Sequence, residues 1–473
     1  MASDPFFLRV ALAAGMALAQ TGSLWQQIGE RLTANALKAD VSFLASDALE
    51  GRGTPSRGLD IAAEYIAAEF RRAGLEPAGD DGYFQTASFE SVTPNAEGLE
   101  FTLEIGGHSL KASAIGVQAG AALDLNHAGA IKVVAADFAL PPEQVKGKVL
   151  LVESSRLVPI LADSQAALVV VLRPAAPANS RSPRLRDASL ARVPVLTVTD
   201  EEIRETVAAM PAGPVEATVS AHVAAPTVAP VKLRNVAGVL RGSDPQLKDT
   251  FLVLTAHYDH LGIRGQGDIY NGANDDASGT ASVIEIAGTL GGLAARPRRS
   301  ILFLALFGEE LGELGSRYYA RHPIFPLAKT IADINLEQLG RTDETGAGEK
   351  LGQFNLTGFD FTNLAAILQP YAKQAGVKVV KDEANSDSFF GRSDNAAFAQ
   401  AGVPSTTLSV TYGFGDYHKP GDKWPKLDYE NMTRVDRAIA LAAYGLADGA
   451  EEPRWNAENP KTEAYRKERG AER

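Results

Sequence analysis

Apolar residues recur at helical spacing from Ile61 to Ala73, and Gly74 follows where a helix would close in a left-handed conformation. The stretch from about Trp25 to Ala78 reads as helical, interrupted by the turn Asp47-Ala48-Leu49-Glu50-Gly51-Arg52-Gly53. From about Phe101 to Ala229 the pattern changes to short apolar runs, Lys148 to Val152, Ala167 to Leu172 and Val193 to Val198, between Pro- and Ala-rich loops. A helix is predicted over Glu201 to Ala209, opened by the capping-box pattern Thr199-Asp200-Glu201-Glu202. The Pro-rich segment from Ala225 to Pro230 reads as a linker. After Asn235 strands and helices alternate. The strands are Phe251–Ala256, Ile301–Phe307, Ile331–Leu336 and Ser405–Val410, and the helices Ala277–Leu290, Glu313–Ala320, Thr362–Ala375 and Asp428–Leu446. Runs as apolar as Ile301 to Phe307 belong to strands covered on both faces, so an α/β architecture with a mostly parallel central sheet flanked by helices is expected. In such sheets ligands bind beyond the carboxyl ends of the strands.

The chain ends add two expectations. Arg9 precedes the apolar stretch Val10 to Ala19, which closes on Ala17-Leu18-Ala19, so residues 1–19 have the form of a signal peptide and predict secretion or export to the periplasm. Residues 450–473 are charge-rich and aperiodic, the pattern of a solvated tail. No apolar run reaches the roughly 20 residues a membrane-spanning helix needs. The 473 residues carry 46 Lys plus Arg against 58 Asp plus Glu, a net charge of −12 that repels nucleic-acid phosphates. There is no cysteine, which excludes disulfides, zinc fingers, iron–sulfur clusters and cysteine nucleophiles together.

With thiols excluded and only seven histidines present, the positions of histidines and acids become informative. The ends of the predicted strands deliver His257-Tyr258-Asp259-His260, Glu309-Glu310, Glu337, and His418 with Asp422 four positions on, while the loop before the first helix holds Asn274-Asp275-Asp276. Taken singly, Asp275-Asp276-Ala277-Ser278 is an ordinary helix start, Glu309-Glu310 a solvated one, and His257 or His418 a loop histidine. Taken together they bring five segments to one sheet edge. Gathered carboxylates repel one another unless a cation neutralises them, so a metal site is the simplest explanation. Imidazoles and carboxylates without thiols suit zinc, with manganese or cobalt as substitutes. His108, His127, His222 and His322 have no such setting and read as structural or exposed.

Through Thr255-Ala256-His257-Tyr258-Asp259, Asn274 to Gly279, Phe307-Gly308-Glu309-Glu310, Asn335-Leu336-Glu337 and Tyr417 to Asp422, the sequence resembles the dizinc aminopeptidase family, whose relatives include glutamate carboxypeptidase, transferrin receptor and glutaminyl cyclase. Val145 to Val152 and Val193 to Leu196 resemble a protease-associated domain. The resemblance implies a peptidase domain in two parts, 25–100 and 231–449, split by a protease-associated insert at 101–230, with the leader at 1–19 and the tail at 450–473. It further implies that Asp275 bridges two zinc ions, with His257 and Glu337 completing one site and Glu310 and His418 the other, and that Glu309 is the general base. Asp259, Asp276, Asp394 and Asp422 would support these ligands from outside, Asp259 and Asp422 by orienting the imidazoles. The family often has a cis peptide at the position of Asp275-Asp276.

Two departures stand out. Ser393-Asp394-Asn395 replaces the family's common Ser-Asp-His, and Phe389-Phe390 replaces a tyrosine before it; Glu337 also replaces a more common Asp. The activity implied is removal of N-terminal residues from peptides, with Tyr412, Phe414 and Tyr417 as pocket candidates. The alternatives are a glutamate-carboxypeptidase-like exopeptidase using Arg341 and Arg392, a single-zinc glutaminyl cyclase, and a metal-free receptor-like binding protein. The oligomeric state is not encoded in any of these features.

Overall fold

The computed structural model describes residues 24–471 apart from 120, 135–141, 158–160, 162–163, 175–183, 189–192 and 345–347. The leader expected at 1–19 lies outside the described residues. The chain divides into two compact units, Met1–Ala87 with Leu233–Arg473, and Ser88–Lys232.

The sheet of the first unit contains β1 (Thr227–Leu240), β2 (Phe251–His257), β3 (Ser300–Leu306), β4 (Thr330–Leu336), β5 (Gln353–Leu356), β6 (Lys378–Val380) and β7 (Ser405–Ser409) in the spatial order β6-β5-β7-β4-β2-β3-β1. Strands β3, β2, β4 and β7 are parallel, while β1 and β5 run antiparallel to their neighbours β3 and β7. Every residue of β2, β3 and β4 is buried, as their unbroken apolar runs predict for a sheet covered on both faces. The flanking helices are α1 (Ala34–Leu44), α2 (Arg57–Arg72), α3 (Ser278–Gly291), α4 (Leu314–Arg321), α5 (Leu364–Gln374), α6 (Asn395–Gln400) and α7 (Tyr429–Asp448). Helix α3 is buried on nearly its whole circumference, the pattern of a core helix rather than an amphipathic one. No described helix is long and apolar enough to cross a membrane.

The second unit is a strand-rich module. Its eight-stranded sheet includes the parallel neighbours Leu123–Val133, Val149–Val152, Leu168–Leu172 and Val195–Val198. Leu151, Val170, Leu196 and Val219 are fully buried in its core.

Three expectations are corrected. Most of the expected linker Ala225 to Pro230 lies within β1, where Pro230 is tolerated because the first residues of that strand are exposed. The capping box at Thr199 is not formed, because the Asp200 carboxylate instead accepts hydrogen bonds from the Ser113 and Ala114 amides at 3.1 and 2.9 Å. Of the region expected as a solvated tail, 450–473, the described residues 450–471 are not free. Trp455 is buried and donates its indole N–H to the Gly402 carbonyl at 2.9 Å, beside Phe361 and Phe390, and Glu463–Ala471 is helical. Tyr465 stacks on Trp455 at 5.0 Å between ring centroids, so two aromatic side chains help to dock an otherwise polar segment.

Candidate metal centre

Parallel strands end at one edge of the sheet, and turns there splay their last side chains into a common space. His257 closes β2; Gly308, at φ +69°, turns the chain after β3 so that Glu309 and Glu310 follow; Glu337 succeeds β4; His418 lies beyond β7 at φ +53°. A left-handed φ is uncommon for a side chain as bulky as imidazole and is found where the surrounding structure fixes the residue. The loop 273–277 feeds Asp275 in from the start of α3. The Asp275–Asp276 peptide is cis. The Asp276 carboxylate accepts from the Gly279 and Gln338 amides at 2.9 and 3.2 Å, joining the loop to the end of β4. Gly279 has no room for a side chain, since a Cβ there would lie 2.2 Å from the Leu336 carbonyl oxygen.

These elements bring together two groups of donors that share Asp275, namely His257, Asp275 and Glu337, and His260, Asp275 and Glu310. His257 Nε2 is 3.3 Å from Asp275 Oδ1, and His418 Nε2 is 3.1 Å from Asp275 Oδ2 and 3.3 Å from Glu310 Oε2. His257 Nε2, Asp275 Oδ2 and Glu310 Oε1 are buried without a hydrogen-bond partner. Native interiors rarely leave such atoms unpaired. Donors of this kind, converging without thiols, fit divalent zinc.

Electrostatics tell the same story. Burial opposes charge on Asp275, yet His257 and His418 hold it far below the usual carboxylate range. Burial likewise opposes charge on His418, but Asp275 and Glu310 raise it to about 10. Glu309 is pushed well above its usual range by burial and by the charges of Glu337, Asp394 and Glu310, and burial raises Asp394 to about 7. A cluster whose members displace each other's proton affinities this strongly marks a functional site.

The supporting aspartates divide their work. His257 Nδ1 lies 3.2 Å from the Asp259 carbonyl oxygen, and Asp259 Oδ1 accepts from the Glu309 amide at 3.1 Å, so this one residue contacts both a ligand candidate, through its backbone, and the base candidate, through its carboxylate. Asp422 does not orient His418 as expected; it accepts from the Asn274 and Asp275 amides at 3.0 and 3.1 Å and so fixes the shared aspartate through its backbone. Burial raises Asp422 to about 6. Asp394 is fully buried close to Glu309. The replaced histidine position, Asn395, bonds the Phe390 carbonyl and Thr407 within the core.

A cavity of about 220 Å³ opens over these groups, lined by Asp275, Glu309, Glu310, Glu337 and His418. Tyr412, Tyr417, Phe389 and Arg392 also line it, whereas Phe414 is buried under Arg341, 5.1 Å from its guanidinium, and does not. Arg341 is engaged by Asp343 and Asp416.

Two residues with no role in the sequence reading emerge. His260 enters the second donor group, and its position three residues after His257 was the available signal. Arg52 is fully buried and donates to the carbonyls of Tyr258 at 2.7 Å, Asn271 at 2.8 Å, Gly272 at 3.0 Å and Leu44. It ties the N-terminal segment to both loops that carry donors. Burial lowers its pKa to about 10, against the pull of Asp259, Asp276 and Asp422. Arg52→Met would strand those carbonyls, and a loss of at least about 1 to 3 kcal/mol, the cost of one unsatisfied buried group, is expected. Urea denaturation checks it, and a midpoint equal to wild type would mean that the carbonyls find other partners.

Residues 235–443 match peptidase family M28. The chain is 25% identical over 231 residues to aminopeptidase YwaD of Bacillus subtilis, covering 47% of this chain and 46% of the relative. It is 28% identical over 217 residues to a vacuolar membrane protease of Candida albicans, covering 45% of this chain and 23% of the relative. These curated relatives are thus matched over less than half of their own length. Among solved structures, an aminopeptidase from Aneurinibacillus sp. strain AM-1 shares the fold with a TM-score of 0.53 at 20% identity, over 90% of this chain and 97% of that one.

Proposed function

We propose, on the match of residues 235–443 to peptidase family M28, that the protein is a zinc-dependent aminopeptidase that binds two zinc ions. The observation that carries this reading is the sharing of the Asp275 carboxylate by two donor groups, with Glu309 beside them in one cavity. His257, Asp275 and Glu337 would hold one ion, and Asp275, Glu310 and His418 the other. Zinc, when bound, lowers the pKa of water and polarises a carbonyl. Glu309 then accepts the proton of the attacking water on its carboxylate and delivers it to the departing amine. Asp259 keeps Glu309 in place through the 3.1 Å bond to its amide.

Glu310 and Glu337 would be taken up by the ions and Glu313 is paired with Arg317 at 2.7 Å, so the preference for a free amino end is drawn from the similarity to an aminopeptidase. Arg392 is the one arginine lining the cavity among the described residues, because Arg341 is held by its aspartates. This weighs against the carboxypeptidase reading. Two donor groups weigh against a single-zinc cyclase, and the complete donor set weighs against a metal-free receptor. Ser88–Lys232 is read as a protease-associated domain on its parallel apolar strands.

Aminoacyl nitroanilides, their N-acetylated forms and peptides with acidic C-termini test the assignment. Only substrates with a free amine should be cleaved, chelation should abolish the activity and added zinc should restore it. Cleavage confined to N-blocked peptides with acidic ends would establish the carboxypeptidase instead.

A further inference from the structure

His260 has a fully buried side chain, and neither ring nitrogen has a hydrogen-bond partner of good geometry. Its Nδ1 nevertheless lies 2.7 Å from Glu310 Oε1 and 4.0 Å from Asp275 Oδ2. Both of those oxygens are buried and unpaired as well. Atoms bearing lone pairs that face one another off the hydrogen-bond direction are arranged as donors to a shared cation. Donors on one zinc, each at about 2.0–2.1 Å, stand roughly 3.3 Å apart around a tetrahedron, and the separations here bracket that value. His418 Nε2 approaches the same two carboxylates at 3.1 and 3.3 Å, with its ring edge-to-face to that of His260 at 5.7 Å between centroids.

The fold builds a seat for this imidazole. The His260 amide bonds the Arg52 carbonyl at 3.3 Å, and its backbone bridges to Gly53. Its ring lies against the bare Cα of Gly272, where a Cβ would come within 2.3 Å of His260 Cγ. Gly272 has φ +57°, a conformation that also disfavours a side chain.

We propose that His260 is a fourth protein donor at the metal position formed by Asp275, Glu310 and His418. This rests on the two-zinc reading above. The two positions then differ in kind. One is filled by protein donors, as structural zinc sites are, while the position of His257, Asp275 and Glu337 retains an open place.

The test is zinc titration of the full-length apoprotein against a chromophoric chelator, for wild type and for His260→Gln, His418→Gln and His257→Gln. Wild type should bind two ions. His260→Gln should leave the ion that depends on His257 unchanged and weaken the other by at least about 100-fold, beyond what loss of an outer partner produces. The visible spectrum of the cobalt-loaded protein should change with it. Two ions of unaltered affinity in His260→Gln would overturn the inference and leave the two-zinc reading standing. A loss near tenfold with an unchanged cobalt spectrum would make His260 a positioning residue and also overturn it. Wild type holding only an ion that depends on His257 would overturn both. Anomalous diffraction from wild-type crystals grown with zinc gives the answer even where the variant fails to fold. Nδ1 is expected at about 2.0–2.1 Å from the ion, and an imidazole with no zinc in bonding contact refutes the assignment.

Discussion

Glu309→Gln is expected to lower kcat by about 10²- to 10⁴-fold, the usual contribution of a positioned general base, while the zinc content stays at the wild-type value. The amide keeps the shape of the side chain and leaves the backbone bond from residue 309 to Asp259 intact. It removes only the capacity to take a proton. The same substitution should affect folding in the opposite direction. Burial and neighbouring carboxylates raise the folded-state pKa of Glu309. Above its ordinary pKa the unfolded chain ionises this group more readily than the folded one, so at neutral pH Glu309 opposes folding of the metal-free protein. Metal-free Glu309→Gln should therefore melt no lower than wild type, and higher if the repulsion is fully relieved. Steady-state kinetics, metal analysis and thermal melts of the apoprotein measure the three quantities. Wild-type kcat in the variant would sink the general-base assignment.

On the two-zinc proposal, Asp275→Ala is expected to take the zinc content to near zero and the activity to background. Both donor groups depend on this carboxylate, and His257 and His418 each lie within 3.3 Å of it. Without it neither group retains its shared oxygen donor. Glu337→Ala, by contrast, should release one ion and keep the other. Elemental analysis of the dialysed proteins distinguishes the cases, and a variant at residue 275 that still holds two ions would refute the shared role.

The architecture and the meeting of the candidate donors at one sheet edge were legible because they depend on patterns with long reach. Apolar runs such as Ile301 to Phe307 encode strands buried on both faces, and the donors sit where those strands end. What was not legible depends on single contacts. Nothing local marks Arg52 as a buried cation, since its four carbonyl partners come from Leu44, Tyr258, Asn271 and Gly272. Asp422 falls at a spacing that suits support of His418, yet the backbone of Asn274 and Asp275 reaches it instead. The short strands Gln353–Leu356 and Lys378–Val380 lack the length that makes periodicity visible. Trp455 and Tyr465 are two aromatic residues among charges, and composition averaged over the segment hides them.

The Arg52 contacts also set an order of events during synthesis. This arginine leaves the ribosome 206 residues ahead of Tyr258 and 220 ahead of Gly272. At about 5–20 residues per second, the guanidinium waits roughly 10 to 45 s for the carbonyls that will enclose it. In that interval the whole strand-rich unit is synthesised, and of the four carbonyl partners only that of Leu44 is already present. The last candidate donor, His418, follows later still.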